Sequence, residues 1–136
     1  MSGADTEDTG LEAGIEDLAT RVFDMARSGD TAALTAYVDA GVPVDLTNGS
    51  GDTLVMLAAY HGHAESVAAL AHRGADVNRA NDKGQTPLAG AVFKGEDEVV
   101  RALVDAGADA DAGHPTAVDA ARMFGREDYL DVLGRG

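Results

Sequence analysis

The sequence predicts an all-α solenoid of stacked helix-turn-helix units joined by hairpin loops, and three observations carry that expectation. The first is an internal period of 33 residues: Gly51, Thr53, Gly62, Gly74, Ala75, Asp76 and Val77 recur as Gly84, Thr86, Gly95, Gly107, Ala108, Asp109 and Ala110. Thr20, Gly29 and Gly41 extend the period backward, and Thr116 and Gly125 carry it forward at a shortened interval of 30 residues. A fixed period of this length marks a stacked-repeat architecture, in which each unit buries its apolar face only against its neighbours. The second is composition. Hydrophobic residues make up 45% of the chain, yet it has only three Phe, three Tyr and no Trp, so its core must be built from Ala, Val and Leu. Small side chains let short helices lie close together. The third is helical spacing, as in Ile15, Leu18, Ala19, Val22, Met25 and Ala26, which recur at intervals of three and four.

The repeated blocks read Gly84-Gln85-Thr86-Pro87-Leu88, Leu57-Ala58-Ala59-Tyr60-His61-Gly62-His63 and Gly74-Ala75-Asp76-Val77-Asn78. They resemble the ankyrin repeat, whose first helix usually opens Thr-Pro-Leu-His, continues to Ala-Ala and a Gly-His turn, and whose second helix ends in Gly-Ala-Asp-Val-Asn. The resemblance runs from about Asp17 to Gly134. It implies an ankyrin solenoid with hairpin loops projecting at right angles to the helices, and a non-catalytic scaffold that binds another protein.

Charge and composition exclude several functions. The formal charge is -14, from 24 acidic and 10 basic residues. Such a surface repels phosphate backbones, so nucleic-acid partners are not expected; it favours solubility and steers basic proteins toward it at low salt. No cysteine is present, which removes disulfides, thiolate metal sites and thiol catalysis. No apolar run approaches the length of a membrane span, and the N-terminus has neither a basic nor an apolar segment of the signal-peptide kind. The expectation is a cytoplasmic monomer with no membrane partner.

The elements follow in order. Residues 1–14 carry Asp5, Glu7, Asp8 and Glu12 without a base, and are expected to form a mobile acidic tail, because they cannot bury enough apolar surface to offset their ordering entropy. The remainder, 15–136, divides into an N-terminal capping repeat (15–47), a second repeat (48–80), a third (81–112) and a shortened C-terminal capping repeat (113–136). In the first, a helix from Ile15 to Ser28 stops at Gly29. Asp30 or Thr31 then caps a second helix running to about Ala40, which buries Ala33, Leu34, Tyr37 and Val38. In the second repeat, helices near 53–61 and 64–73 flank Gly62, with Thr53 as cap. In the third, helices near 86–94 and 97–106 follow, with Pro87 at the first helical position, where a missing N–H costs nothing. Glu96, Asp97 and Glu98 suit the positive end of the next helix dipole. The last repeat places eight residues between Gly107 and Thr116, where the previous one has eleven between Gly74 and Thr86. Its helices fall near 116–124 and 126–133.

Two departures stand out against the family pattern. The histidine after Thr-Pro-Leu is replaced by Met56, Ala89 and Asp119. Gly90 stands where a leucine is usual, which costs about 1 kcal/mol of helix propensity against alanine and empties a place in the packing layer. Phe93 or Met123 is expected to fill that space, so that adding a methyl there should destabilise.

Catalytic and metal chemistry find little support. His61, His63, Glu65 and His72 are the only metal-like cluster, but Gly62 interrupts the first two and the i, i+4 spacing of helical ligand pairs is missing. No metal and no cofactor is expected. The glycine-rich Asn48-Gly49-Ser50-Gly51 has no following lysine and reads as a hairpin tip. A small metal-dependent enzyme and a self-associating structural homo-oligomer remain as alternatives to partner binding. The expected partner surface is the row two residues before each turn glycine, Arg27, Tyr60, Phe93 and Met123. Ser28, His61, Lys94 and Phe124 lie beside it, and the tip residues Ser50, Asp52, Asp82 and Lys83 complete it. Aromatic anchors with polar neighbours are the usual material of interface hot spots.

Overall fold

The computed structural model describes the backbone of residues 3–135 and the side chains of residues 14–135. Eight helices are present among the described residues: α1 (Gly3–Ser28), α2 (Thr31–Asp39), α3 (Leu54–Tyr60), α4 (Ala64–His72), α5 (Pro87–Lys94), α6 (Asp97–Asp105), α7 (Ala117–Met123) and α8 (Tyr129–Val132). The odd-numbered helices pack side by side as one layer, α1 on α3, α3 on α5 and α5 on α7, while α2, α4 and α6 stack as a second layer behind them. The only pairing of extended backbone among the described residues is an isolated antiparallel bridge between Thr47 and Thr53. The fold is the expected all-α solenoid.

Each inner helix starts where its threonine permits. The hydroxyls of Thr53, Thr86 and Thr116 accept from the backbone N–H of Met56, Ala89 and Asp119 at 3.1, 3.2 and 3.0 Å, satisfying a donor that the first helical turn leaves free. Between the layers lies a core of Val22, Leu34, Leu54, Val55, Val67, Leu70, Leu88, Val92, Val99, Val100 and Leu103, all essentially inaccessible to water. Its only buried aromatic rings, Phe23 and Tyr129, sit in the first and last repeats.

The turn between paired helices carries the stacking. Gly29, Gly62 and Gly95 have φ of 74, 82 and 74°, a left-handed conformation that glycine adopts without steric cost. A side chain from the next repeat lies directly over each. A Cβ on Gly29 would stand 2.4 Å from the His63 ring, one on Gly62 2.8 Å from the Glu96 carboxylate, and one on Gly95 2.9 Å from the Arg126 guanidinium. His63 Nε2 also bonds the Arg27 carbonyl at 2.7 Å. The Thr31 and Ser66 hydroxyls share a bond of 2.6 Å, and Arg73 donates from two nitrogens to Asp39 at 2.8 and 3.1 Å, holding that carboxyl below its ordinary value.

The hairpin loops form a ladder of their own. Asp45 accepts from the Asp76 N–H at 2.9 Å and Asn78 from the Asp109 N–H at 2.6 Å. Asn48 Oδ1 accepts from the N–H of Ser50 and Asp52, and Asn81 Oδ1 accepts from those of Lys83 and Gln85, all at 3.0 Å. The Asp82 N–H donates to the Ser50 carbonyl at 3.1 Å and joins the two tips.

Three expectations need correction. Helix α1 starts at Gly3 rather than at Ile15 as expected. Lengthening an existing helix avoids the cost of nucleating one. Residues 1 and 2 lie outside the described residues, and the burial of 3–13 is likewise outside them. Second, Ile15 and Leu18 belong to the apolar stripe but are 61% and 36% exposed; α2 and α3, of nine and seven residues, are too short to cover them. Third, α8 holds only four residues. Two side chains tie it to the previous repeat: the Tyr129 hydroxyl donates to Asp97 and the Arg135 guanidinium to Asp111.

Burial, and then the carboxylate of Asp97, push the Tyr129 hydroxyl from its ordinary 10.0 up to about 12. Between these two values the unfolded chain loses its phenolic proton before the folded one does. The stabilisation is therefore complete below about pH 10 and is lost as pH rises toward 12. Urea midpoints measured from pH 7 to 11 should fall more steeply for the wild type than for Tyr129→Phe above pH 10; parallel curves would refute the coupling.

Candidate protein-binding groove

The inner helices end in a line of exposed large side chains. Tyr60 closes α3, Phe93 lies near the end of α5 and Phe124 caps α7, at 39, 47 and 46% exposure. Packing does not require them there, since the core beneath is already closed by Leu and Val. Phe93 and Phe124 meet edge to face, with centroids 4.7 Å apart and planes at 73°, a favoured aromatic geometry. The Lys94 ammonium stands 4.7 Å from the centre of the Tyr60 ring, and His61 meets that ring edge-on at 5.7 Å. Partial desolvation, followed by the positive charge of His63, Lys94 and Arg27, lowers the pKa of His61.

Gly90 opens the floor of this line. An apolar cavity of about 190 Å³ lies over it, lined by Met56, Tyr60, Phe93, Pro115 and Phe124 with Gln85 at its polar end. A Cβ added to Gly90 would meet Tyr60 Cδ1 at 3.7 Å and Met56 Cε at 3.8 Å, ordinary contact distances. The atoms nearest the vacancy thus belong to Tyr60 and Met56 of the second repeat, and they leave room; Phe93 stands as a wall of the cavity without filling it, and Met123 does not line it. A second recess of about 490 Å³ adjoins the first, sharing Met56, Tyr60 and Gln85, and reaches the hairpin tips at Ser50, Asp52, Asn81, Asp82 and Lys83.

Of the residues expected at a binding surface, Tyr60 and Phe93 form walls of the apolar cavity, and Ser50, Asp52, Asp82 and Lys83 line the polar recess. His61 and Lys94 flank Tyr60. Arg27 lines neither cavity and donates to Asp24 at 3.0 Å. Met123 is 66% exposed and lines neither cavity; its neighbour Phe124 takes the place expected of it. Met56, Gln85 and Pro115 were not anticipated. A signal existed for Met56, which occupies the position of the missing histidine and reaches toward the vacancy made by the missing leucine.

Among the described residues no group of three or more His, Asp or Glu is placed to hold a metal ion. The ring of His63, from the one metal-like cluster, is committed to the Arg27 carbonyl and to the face of Gly29. No helix among the described residues is long and apolar enough to cross a membrane.

The space over Gly90 reverses the expected sign of a substitution there. Gly90→Ala gains helix propensity without collision and should raise stability by up to about 1 kcal/mol, read as a higher urea midpoint at unchanged slope. A lower midpoint would mean that the backbone needs the glycine.

Comparison with known proteins agrees with this architecture. A family model described as ankyrin repeats (3 copies) matches residues 22–114. A Pseudomonas aeruginosa protein that carries the name ankyrin repeat protein PA3287 is 40% identical over 57 residues. That alignment covers 42% of this chain and 33% of the relative, so the chain spans only about a third of that protein's length. Ankyrin repeats generally mediate protein–protein interaction and are typically non-catalytic. With the repeat period, the stacked helix pairs and the match over residues 22–114 in agreement, the chain belongs to the ankyrin repeat family.

Proposed function

We propose that this chain is a non-catalytic scaffold that binds another protein through the groove formed by the inner helices and the hairpin tips. One observation carries the reading: three large side chains, Tyr60, Phe93 and Phe124, stand exposed in a line along the stack where packing does not require them. Isolated exposed apolar residues are ordinary, but a contiguous set beside a recess is what interaction surfaces are made of. Its charged side chains, Asp52, Asp82 and Lys83, stand at the open hairpin tips rather than in an enclosed pocket, which favours recognition of a surface over catalysis.

The test pairs capture with stability. Immobilised wild-type chain should retain a protein from lysate of its source organism, identified by mass spectrometry, and the double variant Tyr60→Ala with Phe93→Ala should retain much less of it. Because both side chains are exposed, the urea midpoint of the double variant should stay close to wild type. Undiminished capture would place the binding surface elsewhere. A markedly earlier unfolding transition would assign the row to the core.

A further inference from the structure

Two departures from the repeat pattern meet at one point. Gly90 removes a side chain from the groove floor, and Met56, at the position of the missing histidine, brings its terminal methyl to 3.8 Å from where a Cβ on Gly90 would lie. Between them and the rings of Tyr60, Phe93 and Phe124 is the notch of about 190 Å³. An apolar cavity of about 150 Å³ takes one benzene molecule, whereas sites for cofactors and drug-sized ligands begin at roughly 300 Å³. The notch therefore suits one aromatic ring or one branched aliphatic side chain.

What adjoins it has the opposite character. Beyond Tyr60 the second recess presents the carboxylates of Asp52 and Asp82 against a single ammonium, that of Lys83. One Asp52 oxygen accepts from the Asn81 amide at 2.8 Å, and Asp82 is exposed. The whole chain carries -14, so its field draws a cation toward this recess. The same field opposes a second copy of the chain as the occupant. A small aromatic molecule would fill the notch but leave the acidic recess unused.

We propose that the groove recognises a segment of a partner protein in which an aromatic or large aliphatic residue stands next to a lysine or arginine. The apolar side chain seats over Gly90, between Tyr60 and Phe93, and the cation lies against Asp52 and Asp82. This rests on the groove reading above and adds the chemistry of the partner.

The experiment is selection of a phage-displayed random peptide library on the immobilised full chain. A synthetic peptide of the selected consensus is then titrated by fluorescence anisotropy against the wild type and variants. The selected peptides should share an apolar residue beside a Lys or Arg. Gly90→Leu, which fills the notch, should weaken binding at least about tenfold, the order expected when a large apolar side chain loses its burial. Phe124→Ala, at an exposed position that leaves the core intact, should weaken it in the same direction and serves if Gly90→Leu does not fold. Asp52→Asn with Asp82→Asn should lower affinity and flatten its dependence on salt.

Peptides lacking the apolar and basic pair, or binding unchanged by both Gly90→Leu and Phe124→Ala, would overturn the proposal. If such peptides still depend on Tyr60 and Phe93, the groove reading survives and the notch does not; indifference to all of these variants defeats both. No peptide selected, with toluene alone binding, would make the occupant a small molecule. A dimer in light scattering that Gly90→Leu abolishes would make it a second copy. Either result sinks the proposal.

Discussion

The stack depends on a close approach that only glycine permits. At each inter-helix turn the chain needs a left-handed residue, and at the first three of them the following repeat lays a side chain against the bare backbone: His63 on Gly29, Glu96 on Gly62, Arg126 on Gly95. Any Cβ at these turns would be strained twice over, by its own dihedral angle and by the group above it. The turn glycine therefore acts between repeats as well as within one. The three side chains that use it differ in charge, so the constraint is steric, and each residue is free to make its own secondary bonds, as His63 does with the Arg27 carbonyl.

Close stacking in turn decides what the groove can be. Inner helices of seven or eight residues, with alanines at Ala58, Ala59, Ala91, Ala120 and Ala121 wholly buried, bring neighbouring helices near enough that a side chain from one repeat covers the next. Tyr60 and Met56 lean over α5 in this way. Where α5 carries a glycine, they have nothing to meet, and the missing atoms appear as open space at the surface. A single small residue in the middle of the row thus changes the groove more than it changes the core, because Leu88, Val92 and Leu103 keep the interior closed.

Much of the fold was legible in the sequence, since a repeated pattern states its own boundaries more than once. The caps at Thr53 and Thr86 and the proline at the start of α5 stand where the 33-residue period puts them, and the cap at Thr116 stands at the shortened interval of 30. What escaped was set by things the period does not encode. The extension of α1 to Gly3 follows from helix elongation, which no repeat period records, and the exposure of Ile15 and Leu18 follows from the shortness of the helices beside them. At the groove, the choice of Phe124 over Met123 turns on the direction in which one helix end points in a shortened repeat, and a spacing rule cannot resolve two adjacent residues. The Gly90 vacancy shows a related limit: spacing points to the same and the following repeat, whereas the atoms nearest it come from Met56 and Tyr60 of the preceding one.

The four-residue helix α8 is too short to hold itself together. Its order is lent by the third repeat, through Asp97 to Tyr129 and Asp111 to Arg135. A helix held by so few contacts is among the first parts of a fold to open, so backbone amides of α8 should exchange with solvent deuterium sooner than those of α3 and α5. Phe124 caps α7, which is paired with α8, while Met56 and Tyr60 lie in α3 and Gly90 in α5. A ligand that settles against Phe124 should therefore slow the exchange of α8 as well.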